Sequence, residues 1–424
     1  MSLVSLFCFL IAFLIVLSCF RRRADIFSPA RVFGLVWTIA IGLADLKLSR
    51  LQHEWSTFAW IIMLIGLFSF LVGIFSVSIL FIGKSSHPIY DIRRRPYSLE
   101  IFPNTFYLSI LILFCLYIIA YIVEWFKAGA LPLFATFPDR ARSEFPIFGI
   151  HLFIGAMPVI LFLIVEYLFI VKTPMIRKII LTAIFLITLI SYFFLMNRLY
   201  YVLFFILALG FAYYSTKAIR LRTVGLAAIL LVGLLAFLQY FREARYVENF
   251  LYVVSEMKYS SEYAALTGPY MYIVMNLENF ARAVPRLESF TYGFFSFDFL
   301  MALTGLKHWL IAYFGLQERV YLVSGYNTFP FIWDYYYDFG IAGLTILSGS
   351  LGFVCALIHR WMRTQPSLLN ISLYAIVLFV IIISFFTNAL TSLNFMFNLV
   401  MIILVQVLIR RKNPALIPSV AYQE

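Results

Sequence analysis

The chain has 424 residues, 63% of them hydrophobic and only 12% charged, too apolar a mixture to present a water-facing surface as a soluble globule. Its net charge of +12 and isoelectric point near 9.5 come from basic residues gathered in short spacers between apolar blocks, which leaves no polar basic face for nucleic acid. All four cysteines (Cys8, Cys19, Cys115, Cys355) fall inside apolar blocks, which points away from a disulfide framework and from a thiolate metal site.

The first apolar run, residues 2–20, carries no basic residue, and Arg21, Arg22 and Arg23 follow it. A cleaved signal has its charge first, so the run reads as a retained span with its N-terminus outside. Further candidate spans are 32–48, 57–82, 105–126, 148–171, 179–196, 199–216, 223–240, 331–358, 368–388 and 392–409. The prediction is an all-α polytopic membrane protein of about eleven (10–12) transmembrane helices with one large helical outer loop. Counting from an outside start, every inner segment is basic: Arg21 to Arg23 with Arg31, then Lys84 with Arg93 to Arg95, Lys172 with Arg177 and Lys178, Lys217 with Arg220 and Arg222, Arg360 with Arg363, and Arg410 to Lys412. The positive-inside rule therefore places the C-terminus in the cytoplasm.

The outer segments are unequal. Residues 49–56 form a connector, 127–147 a medium loop, 197–198 a hairpin tip, and 241–330 a stretch of about ninety residues. A loop that long is usually functional or has structure of its own, and its Tyr, Phe and Leu content argues against a disordered linker. Short helices capping a cavity are expected there. Residues 294–315 read as dipping into the membrane or lying along it as an interfacial helix. The chain thus divides into 1–240 with eight spans, 241–330 as lid, and 331–424 with three spans and a basic tail.

No P-loop, HExxH, CxxC or DxD pattern is present, so neither ATP hydrolysis nor zinc chemistry is indicated. What remains is arginine. Arg140 and Arg142 occupy the medium loop, Arg198 sits at the hairpin tip, and Arg242 and Arg245 open the large loop. A guanidinium presents a fixed fork of donors that fits phosphate oxygens, more strongly near a low-dielectric boundary. Arg140 and Arg142 have Asp139 and Glu144 beside them, and Arg242 and Arg245 have Glu243 and Glu248, so local pairing is an equal alternative for those four. Arg198 has no acidic neighbour in sequence and interrupts an apolar run, which marks it as a functional candidate.

The second constellation is residues 324–343, SGYNTFPFIWDYYYDFGIAG. Asn327 and Thr328 can bond sugar hydroxyls or cap the following helix, and the aromatics Phe329, Phe331, Trp333, Tyr335, Tyr336 and Tyr337 can stack on sugar faces or form an interfacial belt. Asp334 and Asp338, four apart, fall on one helical face, where a carboxylate near a hydroxyl can act as general base. Gly340 and Gly343 read as close-packing glycines. His308, the one histidine of the large loop, reads as a surface or interfacial residue.

This layout resembles the bacterial O-antigen and capsule repeat-unit polymerases, membrane glycosyltransferases of the C-type fold related to the O-antigen ligases. The likeness covers nearly the whole chain, and its most specific stretch is Tyr326-Asn327-Thr328 followed by Asp338-Phe339-Gly340 and Gly343. The ligases carry a histidine directly before the asparagine, where this chain has Tyr326, so the polymerase is favoured. The resemblance implies an inner-membrane, metal-independent enzyme without a cofactor. Its partners would be a polyprenyl-diphosphate-linked oligosaccharide donor and acceptor, membrane lipid and a chain-length regulator protein. Arg198, Arg242 and Arg245 would hold the diphosphate, with Asp338 catalytic; Arg140, Arg142, Tyr326, Asn327, Thr328 and Asp334 would bind substrate. The alternatives are a flippase or transporter of the same lipid-linked sugar, for which charges lining a midplane cavity and short loops would be expected, and an O-antigen ligase.

Overall fold

The computed structural model describes residues 2–21, 24–136, 138–216, 219, 222–227, 229–230, 233, 250–314, 323 and 326–411. The described residues are helical and contain no strand, only isolated bridges. The longer helices are α1 (Leu3–Cys19), α2 (Pro29–Asp45), α3 (Thr57–Leu80), α4 (Pro103–Ala128), α5 (Met157–Ile170), α6 (Met175–Phe193) and α7 (Leu199–Ser215). They continue with α8 (Thr267–Ala283), α9 (Asp298–Thr304), α10 (Leu306–Phe314), α11 (Phe331–Thr364), α12 (Leu368–Ile383) and α13 (Leu393–Ile409).

Five helical stretches are long and apolar enough to cross a membrane: Thr57–Leu80, Pro103–Phe134, His151–Ile170, Met175–Phe193 and Phe331–Thr364. Leu3–Cys19, Leu199–Ser215, Leu368–Ile383 and Leu393–Ile409 are shorter apolar helices. This is the architecture of a helical membrane protein, in which every backbone polar group at membrane depth must be satisfied within its own helix. The helix starts carry the expected chemistry. Ser56 accepts from the Ala59 N–H at the start of α3, and Pro29 and Pro103 open α2 and α4, while Gly129 closes α4 in the left-handed conformation. Most of the predicted span 223–240 lies outside the described residues.

The chain folds as two compact units. One holds residues 1–86, 221–361 and 377–396, the other 87–220, 362–376 and 397–424. In the first, α1 and α2 pack together; Asp45, the last residue of α2, accepts from the Ser5 N–H at 3.1 Å and the Ser5 hydroxyl at 2.8 Å at the start of α1, a carboxylate on a helix N-terminus. The core of this unit is aromatic, with Phe33 stacked on Phe70 at 4.1 Å and Phe331 edge-on to both at 6.4 and 5.7 Å. The Trp37 indole N–H donates to the Ser384 hydroxyl at 2.9 Å. Helices α3 and α11 approach closely: a Cβ at Gly73 would run into the Gly349 carbonyl, and one at Gly352 into the Phe70 carbonyl. These are the close-packing glycines, rather than Gly340 and Gly343. Small residues let the two backbones meet where lipid supplies no hydrophobic drive between helices.

In the second unit α5 is the central helix and touches α4, α6 and α7. Phe162 meets Phe211 edge-on at 5.6 Å, and Phe106 meets Tyr167 at 5.3 Å. Arg93 caps the end of α7, its Nε donating to the Thr216 carbonyl at 2.7 Å with its guanidinium 4.8 Å over the Tyr213 ring. Burial lowers the pKa of that guanidinium.

Candidate functional site

Within the first unit the polar chemistry is organised by α8, which lies in the predicted large loop. It packs against α2 and α3 and buries Asn276, Glu278 and Asn279. The Glu278 carboxylate accepts from the His53 backbone N–H at 3.0 Å, the Trp55 indole N–H at 2.8 Å and Arg282 Nε at 2.9 Å, with Lys47 Nζ at 3.9 Å. Arg282 also donates to the Leu51 carbonyl. One buried carboxylate thus fastens the whole 47–55 connector. Burial lowers the Lys47 pKa, with Glu278 as the main opposing influence. The Tyr270 hydroxyl donates to Gln52 Oε1 at 2.7 Å and accepts from the Leu48 N–H at 3.0 Å; burial pushes its pKa up to about 12, so it stays a donor at physiological pH.

Two asparagines of α8 hold the segment singled out in the sequence. Asn279 Nδ2 donates to the carbonyls of Tyr326 at 2.9 Å and Thr328 at 3.2 Å, and the Thr328 hydroxyl donates to Asn276 Oδ1. The Tyr326 hydroxyl shares a 2.8 Å hydrogen bond with the Ser255 hydroxyl. Both neighbours of Asn327 are pinned, and Asn327 itself is exposed. The aromatics that follow form a stacked set: Phe329 on Trp333 at 4.9 Å, Trp333 to Tyr337 at 5.1 Å, and Tyr337 on Phe295 at 4.8 Å. Asn279 Oδ1 and Trp333 Nε1 are buried without a hydrogen-bond partner among the described residues.

Asp338 has a structural occupation. It is fully buried, and its carboxylate accepts from the backbone N–H groups of Phe295 at 3.2 Å and Ser296 at 2.5 Å and from the Thr291 hydroxyl. The reason is a break in α11 at Gly340, where φ is 63° and ψ is −150°, a conformation open essentially to glycine alone. The break frees carbonyls of the preceding turn, and the 291–292 backbone takes them up: the Thr291 N–H donates to the Tyr337 carbonyl at 3.2 Å and the Tyr292 N–H to the Asp338 carbonyl at 3.0 Å. A Cβ at Gly340 would lie 2.9 Å from the Phe290 ring. Asp334 is buried on the same stretch, its carbonyl 3.4 Å from the Ser296 hydroxyl. Residues 291–296 therefore splint a broken helix, with Asp338 as the clamp.

In the second unit, Arg140 pairs with Glu144 one helical turn on at 2.8 Å, both side chains exposed, which is the local pairing considered from the sequence. Arg142 is exposed, and Arg198 is half-buried immediately before α7. Arg242 and Arg245 lie outside the described residues. Glu124, fully buried, accepts from the Ile147 N–H at 2.9 Å and meets His151 Nδ1 at 2.9 Å, tying the medium loop to α4.

A polar group absent from the sequence-based candidates lies in the apolar interior of this unit. Glu166 of α5 is fully buried, and Gln406 Nε2 of α13 donates to both of its carboxyl oxygens at 2.7 Å and sits 3.3 Å from the Ser372 hydroxyl of α12. An acid in an apolar run (LIVEYLF) was the available signal. Among the described residues no group of three or more His, Cys, Asp or Glu side chains is placed to hold a metal ion. Compared with known proteins, the chain matches no family model, no curated protein and no solved structure.

Proposed function

We propose that the chain polymerises lipid-linked oligosaccharide repeat units into O-antigen or capsular polysaccharide at the outer face of a bacterial inner membrane. In this reading it has eleven spans, an outer N-terminus and a cytoplasmic C-terminus. An acceptor sugar hydroxyl attacks the anomeric carbon of the donor; the bond from that carbon to the diphosphate oxygen breaks with its electron pair, polyprenyl diphosphate leaves, and the hydroxyl proton passes to a base. Arg198, Arg242 and Arg245 take the diphosphate and stabilise the charge that develops on it. Asn327 takes the acceptor glycan, with the buried aromatic stack beside it and Asp338 as positioning groups.

The observation that carries the reading is the presentation of Asn327. A single exposed amide is held between two residues that α8 fixes by side-chain hydrogen bonds, the preorganisation a binding group requires. Replacing Arg198 or Asn327 by alanine and resolving surface glycan on a gel tests it. The expected result is collapse of the long-chain ladder to single repeat units on the core. An unchanged ladder, with the protein still in the membrane, would sink the assignment; loss of every unit would point to flipping or ligation.

Glu166 favours a second reading, as a transporter of the lipid-linked sugar, because ionisable groups inside a membrane commonly mark transport or proton paths. Under that reading Glu166→Gln abolishes all surface glycan, whereas under the first it leaves the ladder intact.

A further inference from the structure

Residues 297–312 follow the splint and include the helix pair α9–α10, and none of their side chains is buried. Eleven of these sixteen residues are apolar (FDFLMALTGLKHWLIA). Leu303 is 61% exposed and Trp309 60% exposed, with Phe297, Leu300 and Leu306 also on the surface. A contiguous apolar surface of this kind on a folded protein marks an interaction face.

The fold places this face at a membrane boundary. Helix α11 is long and apolar enough to cross the bilayer, and its basic end is marked by Arg360, whose guanidinium lies 4.3 Å over the Phe81 ring. Twenty residues separate Gly340 from Arg360, about 30 Å of helix and so about the thickness of the hydrocarbon core. The break at Gly340 therefore falls at the opposite edge of the core. The splint is bonded to Tyr337 and Asp338 just beyond that break, and α9 starts two residues after Ser296. The helix pair thus begins where acyl chains meet headgroups. Its one acid and one base are matched internally, Asp298 to Lys307 at 2.7 Å, which reduces the cost of a low-dielectric setting. The other ionisable side chain, His308, sits beside Trp309, a residue suited to the interface.

We infer that α9–α10 is a monotopic membrane element that inserts its Leu303–Trp309 face among the acyl chains of the bilayer leaflet at the Gly340 edge. It seats the Asp338 clamp against the lipid and holds the broken start of α11 at a fixed depth. The inference is independent of the polymerase reading.

The test uses the full chain in phosphatidylcholine proteoliposomes. Cys8, Cys19, Cys115 and Cys355 are replaced by serine, a single cysteine is placed by Leu303→Cys, Trp309→Cys or, as a water-facing reference, Glu262→Cys, and an environment-sensitive fluorophore is attached. Labels at 303 and 309 are expected to be quenched several-fold more by acyl-chain nitroxide lipids than by aqueous iodide, with the reverse at 262. Iodide quenching at 303 and 309 equal to that at 262 would overturn the inference. So would shielding from both quenchers together with cysteine cross-linking between two copies, since the face would then cover protein. Where the cysteine-free chain does not fold, native tryptophan emission serves. Trp309→Phe is expected to lower the fraction quenched by nitroxide lipid, and an unchanged fraction would overturn the inference.

Discussion

Glu278 in the first unit and Glu166 in the second are both fully buried acids, yet their surroundings differ in kind. Glu278 faces an arginine, a lysine, an indole N–H and a backbone N–H that converge from α8 and from a connector over two hundred residues away in sequence. Glu166 faces one neutral amide, with a hydroxyl next to that amide. The first arrangement leaves several donors stranded if the acid is removed; the second leaves almost none. Burial alone therefore does not tell a structural rivet from a residue available for chemistry, whereas the number and charge of its donors does.

The contrast predicts a ranked series of thermal unfolding midpoints for the purified protein in detergent. Glu278→Ala strands the Arg282 guanidinium and the Trp55 N–H, and should destabilise by about 3–5 kcal/mol, the range for breaking a buried charge pair. Asp338→Asn keeps the shape but turns a donor toward the Phe295 and Ser296 N–H groups, and should cost about 1–3 kcal/mol. Limited proteolysis should then cut between residues 290 and 297 faster than in the parent; protection equal to the parent would show that the clamp does not hold the splint. Glu166→Gln should change stability by less than about 1 kcal/mol, since an amide can replace the carboxyl toward Gln406. A loss as large as that of Glu278→Ala would break the comparison.

The smallest effect concerns pH. Lys47 has a folded pKa below its ordinary value because of burial, so between that value and 10.5 the unfolded chain binds more protons than the folded one. Stability from this group therefore rises with pH across that window. Lys47→Met should flatten the rise in midpoint between pH 8 and 10; an unchanged slope would assign it to another group.

The apolar, helical character of the chain was legible because apolar blocks of span length are a local signal. Helix α8 was not, because its meaning lies in distant partners: nothing in TGPYMYIVMNLENFARA announces that Glu278 meets residues 47–55 or that Asn276 and Asn279 grip residues 326–328. The candidate segment from Tyr326 to Gly340 was visible as a concentration of polar and aromatic residues. The roles within it were not, since Asp338 and Gly340 take theirs from the 290–296 turn. The spacing of Gly340 and Gly343 suggested helix packing, yet the close approach is made by Gly73, Gly349 and Gly352, whose partners are known only once α3 and α11 are side by side.

That seam between α3 and α11 also sets a clock on biogenesis. About 250 residues separate the end of α3 from the start of α11, which at roughly 5–20 residues per second is a delay of roughly 10–50 s during synthesis. For that interval the Gly66–Gly73 face of α3 stands in lipid without the backbone it is shaped to receive. The seam within the first unit therefore closes only after α11 has been made.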